Sequence, residues 1–187
     1  MTDVLTPPAE RELSPLLWLL NQYRAAEVHG AGAIMRMGKL ADTTELRTML
    51  SRHLRDEAVH AWLWTRAIEE MGGEVAAVPE PYQARLAAHY GIPTSLDDLL
   101  ALTLVSEKRG LRQYLDHLET PEVSRPIQRT LRGILKDEEW HVRYIQEELE
   151  DRTRHDREVL RLIERAEEAD ERAVQELREH GTDPIGW

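Results

Sequence analysis

The chain of 187 residues sets 24 Lys and Arg against 35 Asp and Glu, a formal net charge of −11, and contains no cysteine. That balance, without any basic run, argues against nucleic acid or an anionic membrane as partner, and the missing thiols exclude disulfides, rubredoxin-type iron and iron–sulfur clusters. Ala, Leu, Glu and Arg dominate, which predicts one mostly helical domain.

Residues 1–13 read as a flexible leader. The start "MTDVLTPPAERELS" has neither the basic opening nor the apolar core of an export signal. No run approaches the ~18 apolar residues of a membrane helix, so a soluble, cytoplasmic protein is expected. Ser14 followed by Pro15 predicts a helix start. The stripe Leu16, Leu20, Tyr23, Glu27, Ala31, Ile34 then runs at helical spacing to about Gly38. After the turn "ADTTE", a second helix is predicted from about Thr44 to Met71, stopped by Gly72 and Gly73. Its stripe is Leu46, Leu50, His53, Glu57, His60, Trp64, Ala67, Met71.

Residues 73–95 hold Pro79, Pro81 and Pro93 and read as a long crossing connection, with "YQARLAAHY" as a short helix inside it. Ser95 and Asp98 form a capping-box pattern for a third long helix, whose stripe is Leu100, Thr103, Glu107, Gly110 or Leu111, and Tyr114. "LETPEVSRP" is a turn, after which Thr120 or Ser124 caps a fourth. That stripe is Ile127, Leu131, Ile134, Glu138, His141, Ile145, Leu149. No proline or glycine follows from Ile134 to His180, so the fourth helix either runs on or breaks near "DRTRHD". Short turn, long crossover, short turn predicts an all-α four-helix bundle of two antiparallel pairs over residues 14–150. Residues 151–187 are left as a charged C-terminal helical extension and tail, packed on the bundle or on a second subunit.

The two halves repeat. "LRDEAVH" at 54–60 matches "LKDEEWH" at 135–141, and "EVHG" at 27–30 matches "EKRG" at 107–110. Glu27, Glu57, Glu107 and Glu138 each interrupt an apolar stripe about halfway along a helix. His60 and His141 follow Glu57 and Glu138 at i+3, on the same helix face. A lone E-x-x-H is usually a solvated face; two copies coinciding with two further mid-stripe glutamates is a different signal. Four unpaired buried carboxylates would each cost on the order of several kcal/mol or be forced to protonate. Two divalent ions supply the matching positive charge. Oxygen-rich ligands with one imidazole per ion suit iron or manganese rather than structural zinc.

The pattern resembles the ferritin-like di-iron carboxylate superfamily over roughly residues 14–150. The resemblance implies a ferritin-like bundle holding two iron ions, with manganese as the other candidate. The implied ligands are Glu27, Glu57, His60, Glu107, Glu138 and His141, with Glu57 and Glu138 as bridges. It also implies that Asp56 orients His141 and Asp137 orients His60, each acid serving a histidine of the other half. The expected activity is an oxidase or oxygenase that uses O2 or peroxide on a small organic substrate, with a separate electron donor. Ferritin-like iron oxidation and storage, a rubrerythrin-like peroxidase and a manganese catalase are the alternatives. Two symmetric E-x-x-H motifs point to bacterioferritin, rubrerythrin or oxygenase types. The additional glutamate that rubrerythrins carry three residues after the third-helix ligand is Gly110 here, which counts against that peroxidase. A homodimer is expected.

Weaker signals complete the reading. His53, one turn before Glu57, reads as a satisfied core histidine in preference to a hydrogen-bond donor behind the ligands. Tyr23 and Tyr114 read as core packing with hydroxyl partners, and Trp62, Trp64 and Trp140 as packing or partner surface. Gly30 and Gly110, each at i+3 from a glutamate, mark either close helix packing or an access pocket lined by Thr103, Leu111, Ala31 and Tyr114.

Overall fold

The structure, a computed structural model, describes residues 14–179, and these are helical with no strand among them. Six helices follow in order: α1 (Pro15–Leu40), α2 (Thr44–Glu70), α3 (Tyr82–Tyr90), α4 (Leu96–Glu119), α5 (Arg125–His155) and α6 (Glu158–Glu179). The leader at 1–13 and the last part of the tail, 180–187, lie outside the described residues.

Local chemistry sets the helix ends. The Ser14 hydroxyl accepts the Leu17 amide at 3.3 Å, and Thr43 accepts that of Leu46 at 3.1 Å. Ser95 and Asp98 satisfy each other's amides in a complete capping box. Ser124 occupies the N-cap of α5 but does not cap it; its hydroxyl faces Met71 Sδ at 3.6 Å, while Pro126 removes one of the donors a cap would serve. Thr120 ends α4 instead of starting α5. The chain breaks at Asp156, whose backbone is extended and whose carboxylate accepts the Glu158 amide at 2.8 Å. The expected boundary at 150 therefore falls inside α5.

α1 packs on α2, α2 on α5, α5 on α4 and α4 on α1, so the four long helices close a ring. The apolar core splits into two ends of this ring. One gathers Leu19, Leu20, Trp64, Ile68, Ile127 and Leu131; the other gathers Ile34, Met37, Leu50, Leu100, Ile145 and Leu149. Membership of these clusters gives the directions: α1 and α5 run one way, α2 and α4 the other. The connection after α2 must therefore cross the molecule. Asn21 pins it, donating to Leu17 O at 2.9 Å and Glu74 O at 3.3 Å while accepting the Ala76 amide at 2.7 Å. α3 and α6 form an outer layer on α4, where Ala101, Ala166, Ala169 and Ala173 let the helices approach closely around Tyr82, Leu86 and Tyr90. The charged C-terminal segment thus buries an apolar stripe of its own against the same chain.

Candidate metal centre

Between the two apolar ends, every long helix turns polar on its inner face. Glu27 lies between Tyr23 and Ile34 of α1, and Glu107 between Leu104 and Tyr114 of α4. His53, Glu57 and His60 lie between Leu50 and Trp64 of α2, and Glu138 and His141 between Ile134 and Tyr144 of α5. The spacings in α2 and α5 put each set on one helix face. All seven side chains are buried, the most open being Glu107 at 8 %.

They form two groups. Glu27, Glu57, His60 and Glu138 make one; His53, Glu57, Glu107 and His141 make the other, and in each the donor atoms lie within 4.8 Å of one another. Glu57 belongs to both. Glu138 also reaches across, with Oε1 2.9 Å from His60 Nδ1 and Oε2 3.7 Å from His141 Nδ1. In the second group His141 Nδ1 is 3.6 Å from Glu107 Oε2, and His53 Nε2 is 3.2 Å from Glu57 Oε1 and 3.4 Å from Glu107 Oε1.

The six residues singled out by spacing are thus together, and His53 joins them. His53 is a buried histidine with a partner on each ring nitrogen, and one of those partners is Glu57. Its Nδ1 lies 2.8 Å from the Tyr144 hydroxyl, and its ring stacks on His141 with centroids 3.6 Å apart. The tautomer that donates Nδ1–H to Tyr144 leaves the Nε2 lone pair facing Glu57 and Glu107. The signal was its place one turn before Glu57, but a packed histidine occupies the same stripe. Asp56 Oδ2 sits 3.6 Å from His141 Nε2, and Asp137 Oδ2 sits 3.6 Å from His60 Nε2. Arg52, which the sequence reading passed over, links the two acids, at 3.6 Å from Asp56 and 3.8 Å from Asp137, with its guanidinium 3.8 Å over the Trp140 ring.

Electrostatics set these groups apart from an ordinary core. Among the described residues, the ion-pair partners of the four glutamates are all histidines. Burial, then repulsion from Glu27, Glu107 and Glu138, pushes the Glu57 carboxyl well above its ordinary range. Burial likewise raises Glu138, against the pull of His141 and His60. Burial opposes the charge on Glu107 too, but His53 and His141 outweigh it and hold that carboxyl low. Burial would neutralise His60 and His141, yet the adjacent glutamates raise them to about 11 and about 10. Both ring nitrogens of His60 and of His141, together with Glu138 Oε1, have no hydrogen-bond partner. His60 Nδ1 and Glu138 Oε1 lie 2.9 Å apart, so with the His60 proton removed both atoms can face a shared cation. Buried, unsatisfied, oxygen-rich donors around a like-charge cluster fit divalent metal binding.

The surroundings hold the donors in place. The Tyr114 hydroxyl donates to Glu27 Oε1 and accepts from Trp64 Nε1 at 3.3 Å. Burial and the Glu27 charge push its phenol up, keeping that proton on oxygen. Tyr23 bonds His117 Nδ1 at 3.2 Å, and Trp64 is fully buried while Trp62 is 56 % exposed. The two glycines differ. A Cβ on Gly30 would collide with the Glu57 carboxylate, whereas one on Gly110 would meet open space. A chamber of about 40 Å³ reaches Glu27, Glu57, Glu107 and Glu138 beside both glycines. A cleft of about 340 Å³ between α1, α3 and α4 adjoins it, sharing Gly30, Gln83, Ser106 and Glu107. Thr103 lines the cleft and Tyr114 the chamber, as expected. Ala31 lines neither, and Leu111 faces a separate groove with Val142, because it lies about 100° round the helix from Gly110.

No family model, curated protein or solved structure matches the chain. Among the described residues no helix is long and apolar enough to cross a membrane.

Proposed function

We propose that this chain is a dinuclear-metal oxidoreductase of the ferritin-like di-iron carboxylate kind, built on a four-helix bundle and oxidising a small organic substrate with O2 or peroxide. One observation carries the reading: four buried glutamates, whose counter-ions among the described residues are all histidines, divide into two donor groups that share Glu57. The four carboxylates would balance the charge of two divalent ions, and His60 and His141 would give up their protons to hold them. Glu27, His60 and Glu138 would hold one ion and His53, Glu107 and His141 the other, with Glu57 between them. Iron suits this mixture of carboxylate and imidazole, and manganese is the nearest substitute. Bound iron would supply one-electron redox chemistry and activation of O2 or peroxide, with electrons from a separate donor.

The chain's own residues supply the rest. Tyr114 anchors Glu27 through a hydrogen bond, so that carboxylate presents its other oxygen inward. Asp56 and Asp137 stand behind His141 and His60, where they set ring orientation. Tyr144 does the same for His53. Gly30 leaves the room that the Glu57 carboxylate occupies. The apolar ends exclude bulk water and strengthen every charge interaction between them. The adjoining cleft favours an organic substrate over iron alone.

Anaerobic titration with Fe(II), followed by exposure to O2 and to peroxide under optical spectroscopy, tests the proposal. About two ions per chain are expected, then oxidation with substrate turnover. Fewer ions would defeat the dinuclear reading. Assembly into a closed shell that loads many irons per chain would replace the enzyme with a storage protein.

A further inference from the structure

The cleft beside the chamber has a polarity of its own. Its body is apolar, with Ala33 from α1, Leu86 and Ala87 from α3, and Leu99 and Leu102 from α4. Glu107, at the inner end, is its one acidic wall residue. Among the described residues, its one Lys or Arg wall residue, in a chain of net charge −11, is Arg36, exposed at the mouth. Arg36 spends one N–H on Pro93 O at 2.8 Å and, among the described residues, pairs with no carboxylate. His29 also lines the cleft, with Nδ1 held by the Ala25 carbonyl at 2.9 Å. At the neck, Gln83 lines both cavities, and its buried side-chain oxygen has no partner. A buried polar atom left over at a cavity neck is where a ligand group would be read. Arg36 lies six residues beyond Gly30 on α1, about 9 Å along the helix axis.

We infer that this cleft is the substrate site and takes a small, apolar carboxylate. The carboxylate sits at Arg36, the apolar body lies against Leu86, Leu99 and Leu102, and the far end enters the chamber past Gln83 toward Gly110. A guanidinium at the rim matches a carboxylate in geometry as well as charge. The apolar walls reject a molecule charged along its length. That the far end is the one oxidised rests on the dinuclear reading above; the binding mode does not.

The test uses octanoate as probe on the full chain, with octan-1-ol and octylamine as controls. Binding is measured by calorimetry on metal-free and Mn(II)-loaded protein. Octanoate is expected to bind at least about tenfold tighter than either control, a difference of about 1.4 kcal/mol. Arg36→Gln should abolish that preference while leaving octan-1-ol unchanged. Ala33→Phe, or Ala87→Phe should the first fail to fold, should fill the cleft and weaken both ligands. In the Mn(II)-loaded protein, paramagnetic relaxation should reach the terminal methyl of octanoate more strongly than carbon 2. Equal binding of acid and alcohol, indifference to Arg36→Gln, undiminished binding to the filled cleft, or stronger relaxation at carbon 2 would each overturn the inference. Protein that binds octanoate through Arg36 but holds no metal would sink the dinuclear reading alone. Protein that holds both ions without preferring octanoate would sink this one alone.

Discussion

Two kinds of buried acid stand side by side in this molecule. Where the outer layer of α3 and α6 meets α4, Asp98 accepts from the Tyr90 hydroxyl at 2.6 Å, the Thr94 and Ser95 amides at 3.0 and 2.9 Å, and the Ser95 hydroxyl at 2.8 Å. Asp170 accepts from Tyr82 at 2.6 Å and from both arms of Arg109. These acids are satisfied by the protein itself. At the centre, Glu57 faces the carboxylates of Glu27, Glu107, Glu138 and Asp56, and among the described residues the ring nitrogens of His60 and His141 have no hydrogen-bond partner. Burial costs both regions the hydration of a charge. The outer one recovers it fully from its own residues and the centre only in part, so the centre is the region that calls for a ligand.

Removing Glu57 should separate the regions most sharply. Glu57→Gln takes a donor from both groups and is expected to weaken metal binding by more than about 100-fold, beyond the loss typical of an outer partner. It should leave the metal-free fold as stable or more so, because a like-charge contact is deleted. Metal analysis and thermal melts of the same sample decide this. Two ions retained by the variant would dissolve the distinction.

Asp170→Ala should do the reverse. It removes the carboxylate that the half-buried Arg109 pairs with, and breaking such a pair costs about 3 kcal/mol, on the order of 10 °C in Tm for a chain this size. Metal stoichiometry should not change. A variant that melts normally but loses metal would show that α6 belongs to the centre after all.

The comparison sharpens within the centre itself. Asp56 faces His141, while Asp137 faces His60. Asp56→Asn is therefore expected to weaken the ion in the His53, Glu107 and His141 group by about 10–100-fold and spare the other. Stepwise Mn(II) titration monitored by electron paramagnetic resonance reads the two sites separately. Equal weakening of both would mean the acids do not act across the bundle.

The smallest effect is on pH dependence. At Asp98, burial raises the carboxyl, but the hydrogen bonds from Tyr90, Ser95 and the Thr94 and Ser95 amides win and hold it at about 2. Its stability contribution is present above the ordinary value of 3.8 and is lost as pH falls toward about 2. Asp98→Asn should flatten that acid limb of an unfolding curve. The metal-free centre should slope the other way. His60 and His141 contribute stability fully below 6.5, lost as pH rises through about 10 to 11. Mn(II) loading should remove this alkaline slope, because the imidazoles then carry metal in place of protons. A slope that survives loading would mean those histidines are not ligands.

Much of this was legible in the chain as written. Helix starts at Ser14 and Ser95, the stop at Gly72, and the acids seated mid-stripe follow from spacing and capping, which are properties of a few neighbouring residues. The interruption of four apolar stripes at matching depth was visible because helical periodicity is local and an acid on an apolar face stands out. What stayed hidden depends on which faces meet. Nothing near His53 distinguishes a packed imidazole from one aimed at Glu57 and Glu107, since both sit one turn along the same stripe. A break near "DRTRHD" was one of two alternatives in the sequence, with no glycine or proline to decide it, and the fold of α6 back onto α3 and α4 decides it at Asp156. Gly30 and Gly110 look equivalent by repeat, yet one is filled by a neighbour's carboxylate and the other borders open space. The sequence by itself determined the helices and the depth of each acid, because hydrogen bonding and side-chain period act within a turn or two. Only the tertiary structure decided which donors share an ion, which cavity reaches them and where Arg36 stands at its mouth, because those distances are set by packing between helices remote in the chain.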